Sequence, residues 1–103
     1  MNFGLTEKEE AAIKRVFSEF PEIQEVIIFG SRAMGTFKPA SDIDLAIKGN
    51  SINLSLLGKI KSCLEETILV PYFFDLVDLS TITHQDLKEH VRQYGRLFYK
   101  KGS

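Results

Sequence analysis

The sequence has a single cysteine and no long apolar run. Cys63 cannot close an internal disulfide within these 103 residues, and the apolar helical pattern around it favours a small buried side chain. No apolar stretch approaches the roughly 20 residues that a membrane-spanning helix needs. The N-terminus also lacks the basic-then-apolar layout of a signal peptide. We therefore expect a cytoplasmic protein that does not contact a membrane.

Neither basic nor acidic residues are in excess. The 13 basic and 14 acidic residues give a net charge of −1, so no overall basic excess indicates nucleic acid and no acidic tail indicates disorder. A composition of 44% hydrophobic and 26% charged residues is typical of a soluble globular protein. The length predicts one domain over residues 1–103.

Helical and strand patterns alternate along the chain. The alternation favours an α/β (α+β) fold in which a single small mixed β-sheet is flanked by helices. A helix between the second and third strands permits a parallel pair, whereas the loop between the first two permits either direction. The predicted strands are Val26–Phe29, Asp42–Lys48, Tyr72–Val77 and an edge strand at Arg96–Lys100.

Helix ends and histidines add detail to this outline. Thr6 and Glu9 form the pattern of a capping box before an apolar helical stripe, and Thr83 with Asp86 resembles a second cap. His84 and His90 are six residues apart, which is not a zinc-binding spacing and favours positions on a helix surface.

Three aspartates form the strongest candidate site. Asp42 and Asp44 lie one residue apart in a predicted strand, so their side chains point to the same face. Asp75 interrupts an apolar strand, where a charge is disfavoured unless it is paired or metal-bound. Carboxylates are the ligands that Mg²⁺ prefers, and two-metal sites clamp the oxygens of a phosphoryl displacement. The structural alternatives are a solvated strand face and a lysine partner for Asp75.

A Gly-Ser turn follows the first predicted strand. Gly30 lets the backbone approach a ligand closely, and Ser31 offers a hydroxyl to a phosphate. Backbone N–H groups at the start of the next helical turn favour anions, and Arg32 offers a bidentate phosphate contact. A Gly-Ser pair alone is usually only a turn. Its occurrence ten residues before the aspartate pair favours a metal–nucleotide site.

These motifs resemble a known family. Gly30-Ser31, ten residues and then Asp42-Ile43-Asp44-Leu45 resemble the signature of the DNA polymerase β-like nucleotidyltransferase superfamily. The form GSRAMG…SDIDL is similar to that of its minimal nucleotidyltransferases. The later FFDLVDL segment matches the family's third carboxylate and places it at Asp75. The resemblance covers a motif-bearing core at about residues 24–100 and implies the polymerase β-like nucleotidyltransferase fold.

The resemblance implies an activity and a role for each residue. Two Mg²⁺ ions, with Mn²⁺ as the alternative, would be held by the aspartates. The enzyme would transfer a nucleoside monophosphate, AMP from ATP, to a hydroxyl of a protein, an RNA or a small molecule and release pyrophosphate. The implied catalytic and metal-binding residues are Asp42, Asp44 and Asp75, and the implied nucleotide ligands are Gly30, Ser31, Arg32 and Ser41.

The resemblance also implies a protein partner. Minimal members are commonly encoded beside an all-helical HEPN-type protein, so the chain would be the catalytic half of a two-component, toxin–antitoxin-like system. The alternative is a non-catalytic binding module that neutralises a HEPN-type ribonuclease by occlusion. The basic and aromatic segment RLFYK near the C-terminus permits pairing with a second copy of the chain.

Overall fold

Helices and strands alternate along the chain, as the sequence predicts. The computed structural model describes residues 3–67 and 72–102, and the other positions of the predicted domain (1–2, 68–71 and 103) lie outside the described residues. The elements are α1 Glu7–Ser18, β1 Ile23–Phe29, α2 Gly30–Met34, β2 Ile43–Gly49, α3 Leu54–Thr67, β3 Phe74–Asp78, a 3₁₀ turn Leu79–Thr81, α4 Gln85–Tyr94 and β4 Arg96–Lys100.

The strands form one mixed sheet in the order β3-β2-β1-β4. β1 runs antiparallel to both β2 and β4, and β2 runs parallel to β3. The predicted mixed sheet flanked by helices is therefore confirmed. Because of this order, the end of β1 lies beside the beginning of β2, and the beginning of β2 lies beside the beginning of β3.

The larger core lies between the sheet and helices α1 and α3. α1 begins at the predicted capping box, in which Thr6 Oγ1 accepts from the Glu9 N–H at 3.0 Å and the Glu9 carboxylate accepts from the Thr6 N–H at 2.9 Å. Alternation along β2 turns Ile43, Leu45 and Ile47 into this core, where all three are fully buried. This alternation leaves Asp44 on the opposite face of the sheet.

The opposite face of β2 is more enclosed than the sequence predicts. Strand alternation places Ala46 on the same face as Asp44, yet it is fully buried in a second, smaller core. It packs there with Phe29, Ile82 and Val91, beneath α4. On this face α4 covers the middle of β2, so that Asp44 at the beginning of the strand stays half-buried and Lys48 near its end is exposed.

The cap of α4 also differs from the prediction. The helix begins at Gln85, and its N-cap is His84, whose Nδ1 accepts from the Leu87 N–H at 3.4 Å. Neither Thr83 nor Asp86 has the predicted capping role. No helix in the part of the chain that the structure describes is long and apolar enough to cross a membrane.

Arg32 connects α2 to the loop that leads into β2. Its side chain is only 1% exposed. The guanidinium donates to the Ser41 carbonyl from Nε at 3.2 Å and from Nη2 at 3.0 Å, to the Pro39 carbonyl at 3.2 Å, and to the Phe3 carbonyl at 2.8 Å. The three hydrogen bonds to Pro39 and Ser41 fix the residues that immediately precede Asp42, and the fourth ties them to Phe3.

Aromatic rings complete the surroundings of Arg32. Its guanidinium carbon lies 5.2 Å from the centre of the Phe37 ring and 5.0 Å from that of Tyr72, within cation–π range. The expectation that Arg32 binds phosphate is wrong for this structure, because the guanidinium is buried and its donors are bonded to carbonyl oxygens. Its role is to hold the loop.

Replacement of Arg32 tests this structural role. Arg32→Met keeps a long side chain but leaves the carbonyls of Phe3, Pro39 and Ser41 without their donor. We expect the free energy of unfolding, measured by urea denaturation, to fall by about 2 to 4 kcal/mol. Arg92→Met is the matched control, because Arg92 is exposed and, among the described residues, forms an ion pair only with Glu89. The stability of this variant should hardly differ from that of the wild type. Equal stability of the two variants would contradict the assignment.

Candidate active site

Parallel pairing brings two of the predicted aspartates together. Asp44 is the second residue of β2, Asp75 is the second residue of β3, and their Cα atoms are partners in the register. Partners in neighbouring strands project to the same side of a sheet, and the strands are roughly 4.8 Å apart. Asp42 precedes β2 and is exposed, as is Asp75, whereas Asp44 is half-buried. The three predicted acidic residues therefore share one end of the sheet.

Electrostatic strain is concentrated on Asp44. Burial, together with the smaller effects of the Asp75 and Asp42 charges, raises the pKa of its carboxyl from 3.8 to about 6. None of the three carboxylates forms an ion pair within residues 3–67 and 72–102, so the expected alternative of a lysine partner for Asp75 is not found there. The site carries excess negative charge that a cation would neutralise.

The Gly-Ser turn lies against the same carboxylate. β1 ends at Phe29, which is the register partner of Asp44, and Gly30 then turns the chain into α2 with φ +74°. A Cβ atom at Gly30 would overlap Asp44 Oδ2. Both the left-handed backbone and the close approach therefore require glycine. Ser31 follows in the first turn of α2 and is half-buried.

Ser41 belongs to the loop that Arg32 holds. Its carbonyl accepts from Arg32, and its hydroxyl oxygen accepts from the Lys38 N–H at 2.7 Å. The hydroxyl proton is not used in that bond, so a donor remains for a ligand. The role of Ser41 as a nucleotide ligand stays a prediction.

Sequence reasoning missed the contribution of His90. The Gly30 N–H donates to His90 Nε2 at 2.9 Å, across 60 residues of sequence. The expectation of a helix-surface position is therefore wrong for this histidine, which is half-buried. The signal that was available is its helical spacing, since His90 lies three residues after Leu87 and four before Tyr94, on the inner side of α4.

The carboxylates at this end of the sheet have the donor chemistry of a metal site but are not gathered around one point. In the described part of the chain, no three histidine, cysteine or acidic side chains are gathered closely enough to hold one. The donor chemistry fits a divalent cation. Burial and two acidic neighbours disfavour the anionic form of Asp44, which a cation would stabilise, and oxygen ligands suit Mg²⁺. Asp42 and Asp75 are exposed, so their side chains are free to turn towards a shared ion.

Solved structures share this architecture. One chain of a toxin–antitoxin crystal structure with AMP-PNP has a TM-score of 0.73 and 24% identity, with 90% of this chain and 74% of that chain covered. A chain of the toxin–antitoxin MntA-HepT has a TM-score of 0.68 and 21% identity, with 92% and 73% covered. At these identities the likeness shows the fold.

Sequence comparisons show the family. The chain is 32% identical over 87 residues to a probable protein adenylyltransferase, MntA, of Haemophilus influenzae, and the match covers 84% of this chain and 75% of that protein. The family model of polymerase β nucleotidyltransferases matches residues 11–103, which include the Gly-Ser turn and all three aspartates. With the mixed sheet and the site at its end, these matches show that the chain belongs to the polymerase β nucleotidyltransferase family.

Proposed function

We propose that this nucleotidyltransferase depends on a divalent metal and transfers AMP from ATP to a hydroxyl group, releasing pyrophosphate. The observation that carries the proposal is the register pairing of Asp44 with Asp75 beside the Gly30 turn. That arrangement places carboxylates that repel one another next to a backbone that allows close approach of a ligand. A metal–triphosphate complex has the charge and the shape to occupy such a site.

Each group at the site has a proposed part in the reaction. Asp42, Asp44 and Asp75 would hold Mg²⁺, two ions in the full site, or Mn²⁺ in its place. When bound, these ions would offset the charge of the phosphates and favour ionisation of the acceptor hydroxyl. The turn at Gly30 and Ser31 would hold the β- and γ-phosphates, so that the α-phosphate lies over the carboxylates.

Similar proteins support the choice of ATP as the nucleotide and of a HEPN-type protein as the partner. The similar Haemophilus protein is described as a probable protein adenylyltransferase, and a structurally similar chain was crystallised with AMP-PNP. We infer AMP transfer to a protein hydroxyl, with RNA or small-molecule hydroxyls as the other acceptors to compare. Because similar chains occur in MntA-HepT complexes, we also infer an all-helical HEPN-type partner.

An NMR titration tests the nucleotide site. Addition of ATP to the ¹⁵N-labelled protein should shift the amides of Gly30, Ser31 and Asp44 when Mg²⁺ is present, because the metal joins phosphates to carboxylates. The Asp42→Asn/Asp44→Asn variant should lose these shifts. Asp78→Asn is the matched control, because Asp78 is a carboxylate at the end of β3 that caps the next turn, where it accepts from the Ser80 N–H.

The outcomes of this titration are distinct. Shifts that need Mg²⁺, persist in Asp78→Asn and vanish in the double variant support the proposal. Shifts of the same size in all three proteins would show that ATP binds elsewhere. No shift at millimolar ATP, with and without the HEPN-type partner, would overturn the proposed nucleotide site.

Removal of the Asp44 charge should stabilise the metal-free protein. A carboxyl whose folded-state pKa is about 6 binds its proton more tightly when folded, so its contribution to stability falls as pH rises from about 4 to 6. Asp44→Asn lacks this penalty. At pH 7.5 it should be more stable than the wild type by about 1 kcal/mol, a figure reduced for solvent screening, and the difference should vanish near pH 4. Urea denaturation in EDTA measures it; a less stable variant at pH 7.5 would contradict the strain on Asp44.

Neutralisation of a partner by occlusion alone is the second candidate function. It is favoured by the structural likeness to chains of toxin–antitoxin complexes. Expression of the Asp42→Asn/Asp44→Asn variant with a HEPN-type ribonuclease separates the two functions. Loss of protection, with folding and partner binding intact, supports catalysis, whereas full protection supports occlusion.

A further inference from the structure

A histidine of α4 bonds to the backbone of the Gly-Ser turn. The Gly30 N–H donates to His90 Nε2 at 2.9 Å, so a neutral ring carries its own proton on Nδ1. α2 has no hydrogen bond from its N-cap side chain, because its N-cap is Phe29. An acceptor from a distant element therefore serves the first N–H of this short helix.

Neighbouring rings hold the imidazole in place. The centre of the His90 ring lies 6.1 Å from that of Phe29, in an edge-to-face arrangement at 74°, and 5.3 Å from that of Tyr94. The acceptor atom is thus fixed by packing, which lowers the entropy cost of the hydrogen bond.

Gly30 is restrained on both sides. Its Cα lies so close to the Asp44 carboxylate that a Cβ would overlap Oδ2, while its N–H is bound to His90. A displacement of the Gly30 peptide would therefore change the position of Ser31 relative to Asp44. In a site that must align a phosphate with a metal-binding carboxylate, displacements of about 1 Å have large effects.

We propose that His90 is a positioning residue for nucleotide binding, which fixes the Gly30-Ser31 turn at the distance from Asp44 that a metal-bound triphosphate requires. This inference rests on the proposed function. His90 acts through Gly30 and does not itself touch the nucleotide. Because the Gly30 N–H is bound to His90, the Ser31 hydroxyl and backbone become the contacts for phosphate.

Two substitutions at His90 and one control test the inference in the full chain. The Oε1 atom of glutamine can replace Nε2 as acceptor, whereas leucine fills similar space without an acceptor. Val91→Ala loosens the packing of α4 but leaves the hydrogen bond to Gly30 in place. For each protein we would measure the melting temperature, the hydrogen-exchange rate of the Gly30 amide and the dissociation constant of ATP with Mg²⁺.

The inference predicts a specific pattern. His90→Leu should speed exchange of the Gly30 amide and weaken ATP binding by about tenfold each, whereas His90→Gln should stay within about threefold of the wild type in both. Val91→Ala should melt at a lower temperature and bind ATP as the wild type does.

The contrary results are equally specific. Wild-type affinity in His90→Leu, or equal weakening in Val91→Ala and His90→Leu, would overturn the positioning role. If His90→Leu does not fold, His90→Ala takes its place. Faster exchange of the Gly30 amide and weaker ATP binding in His90→Ala than in the wild type would support the positioning role, and an unchanged exchange rate would overturn it. A wild type that binds no ATP would instead show that the proposed function fails.

Discussion

Repulsion among carboxylates at one end of the sheet is the constraint on which the site depends. The register that places Asp44 beside Asp75 also turns Ile43 and Leu45 of the same strand into the core. A shift of one residue would bury the aspartates and expose the isoleucine and leucine. The packing of the core therefore enforces a cluster of like charges that, without a cation, lowers the stability of the fold.

Two polar side chains hold the backbone around this cluster in place through hydrogen bonds. Arg32 holds the loop before Asp42 through carbonyl oxygens, and His90 holds the turn after β1 through the Gly30 N–H. Neither bond requires a charged ligand to form. The segments on both sides of the carboxylates are thus arranged before a nucleotide arrives, which reduces the ordering cost of binding.

Local patterns predicted much of this structure. The alternation of Ile43, Asp44 and Leu45 in β2 was predicted correctly, although Asp42 lies just before the strand. The edge strand Arg96–Lys100 and the capping box at Thr6 also have the predicted positions. Each of these features depends on residues a few positions apart, whose geometry is fixed by the helical or strand period. The pairing of Asp44 with Asp75 followed only from the assumption of neighbouring strands, which the parallel register confirms.

Contacts between distant segments account for the errors. Arg32 has the sequence context of a phosphate ligand. The Phe3 carbonyl and the Tyr72 ring that contact its guanidinium, however, come from distant parts of the chain. The burial of Ala46 depends on α4, which nothing in the strand pattern indicates. A buried arginine can satisfy its donors on carbonyl oxygens as well as on a phosphate, so residue type alone does not separate the two roles.

The ionisation of Asp44 offers the most direct test of the central claim that these carboxylates form a strained, cation-seeking site. The chemical shift of its side-chain carboxyl carbon can be followed by NMR across pH, first in EDTA and then in Mg²⁺. We expect a pKa of about 6 without metal, because burial and the neighbouring aspartates favour the neutral form, and a pKa shifted to well below that value when Mg²⁺ stabilises the anion. A pKa near 3.8 in EDTA that Mg²⁺ leaves unchanged would contradict the account.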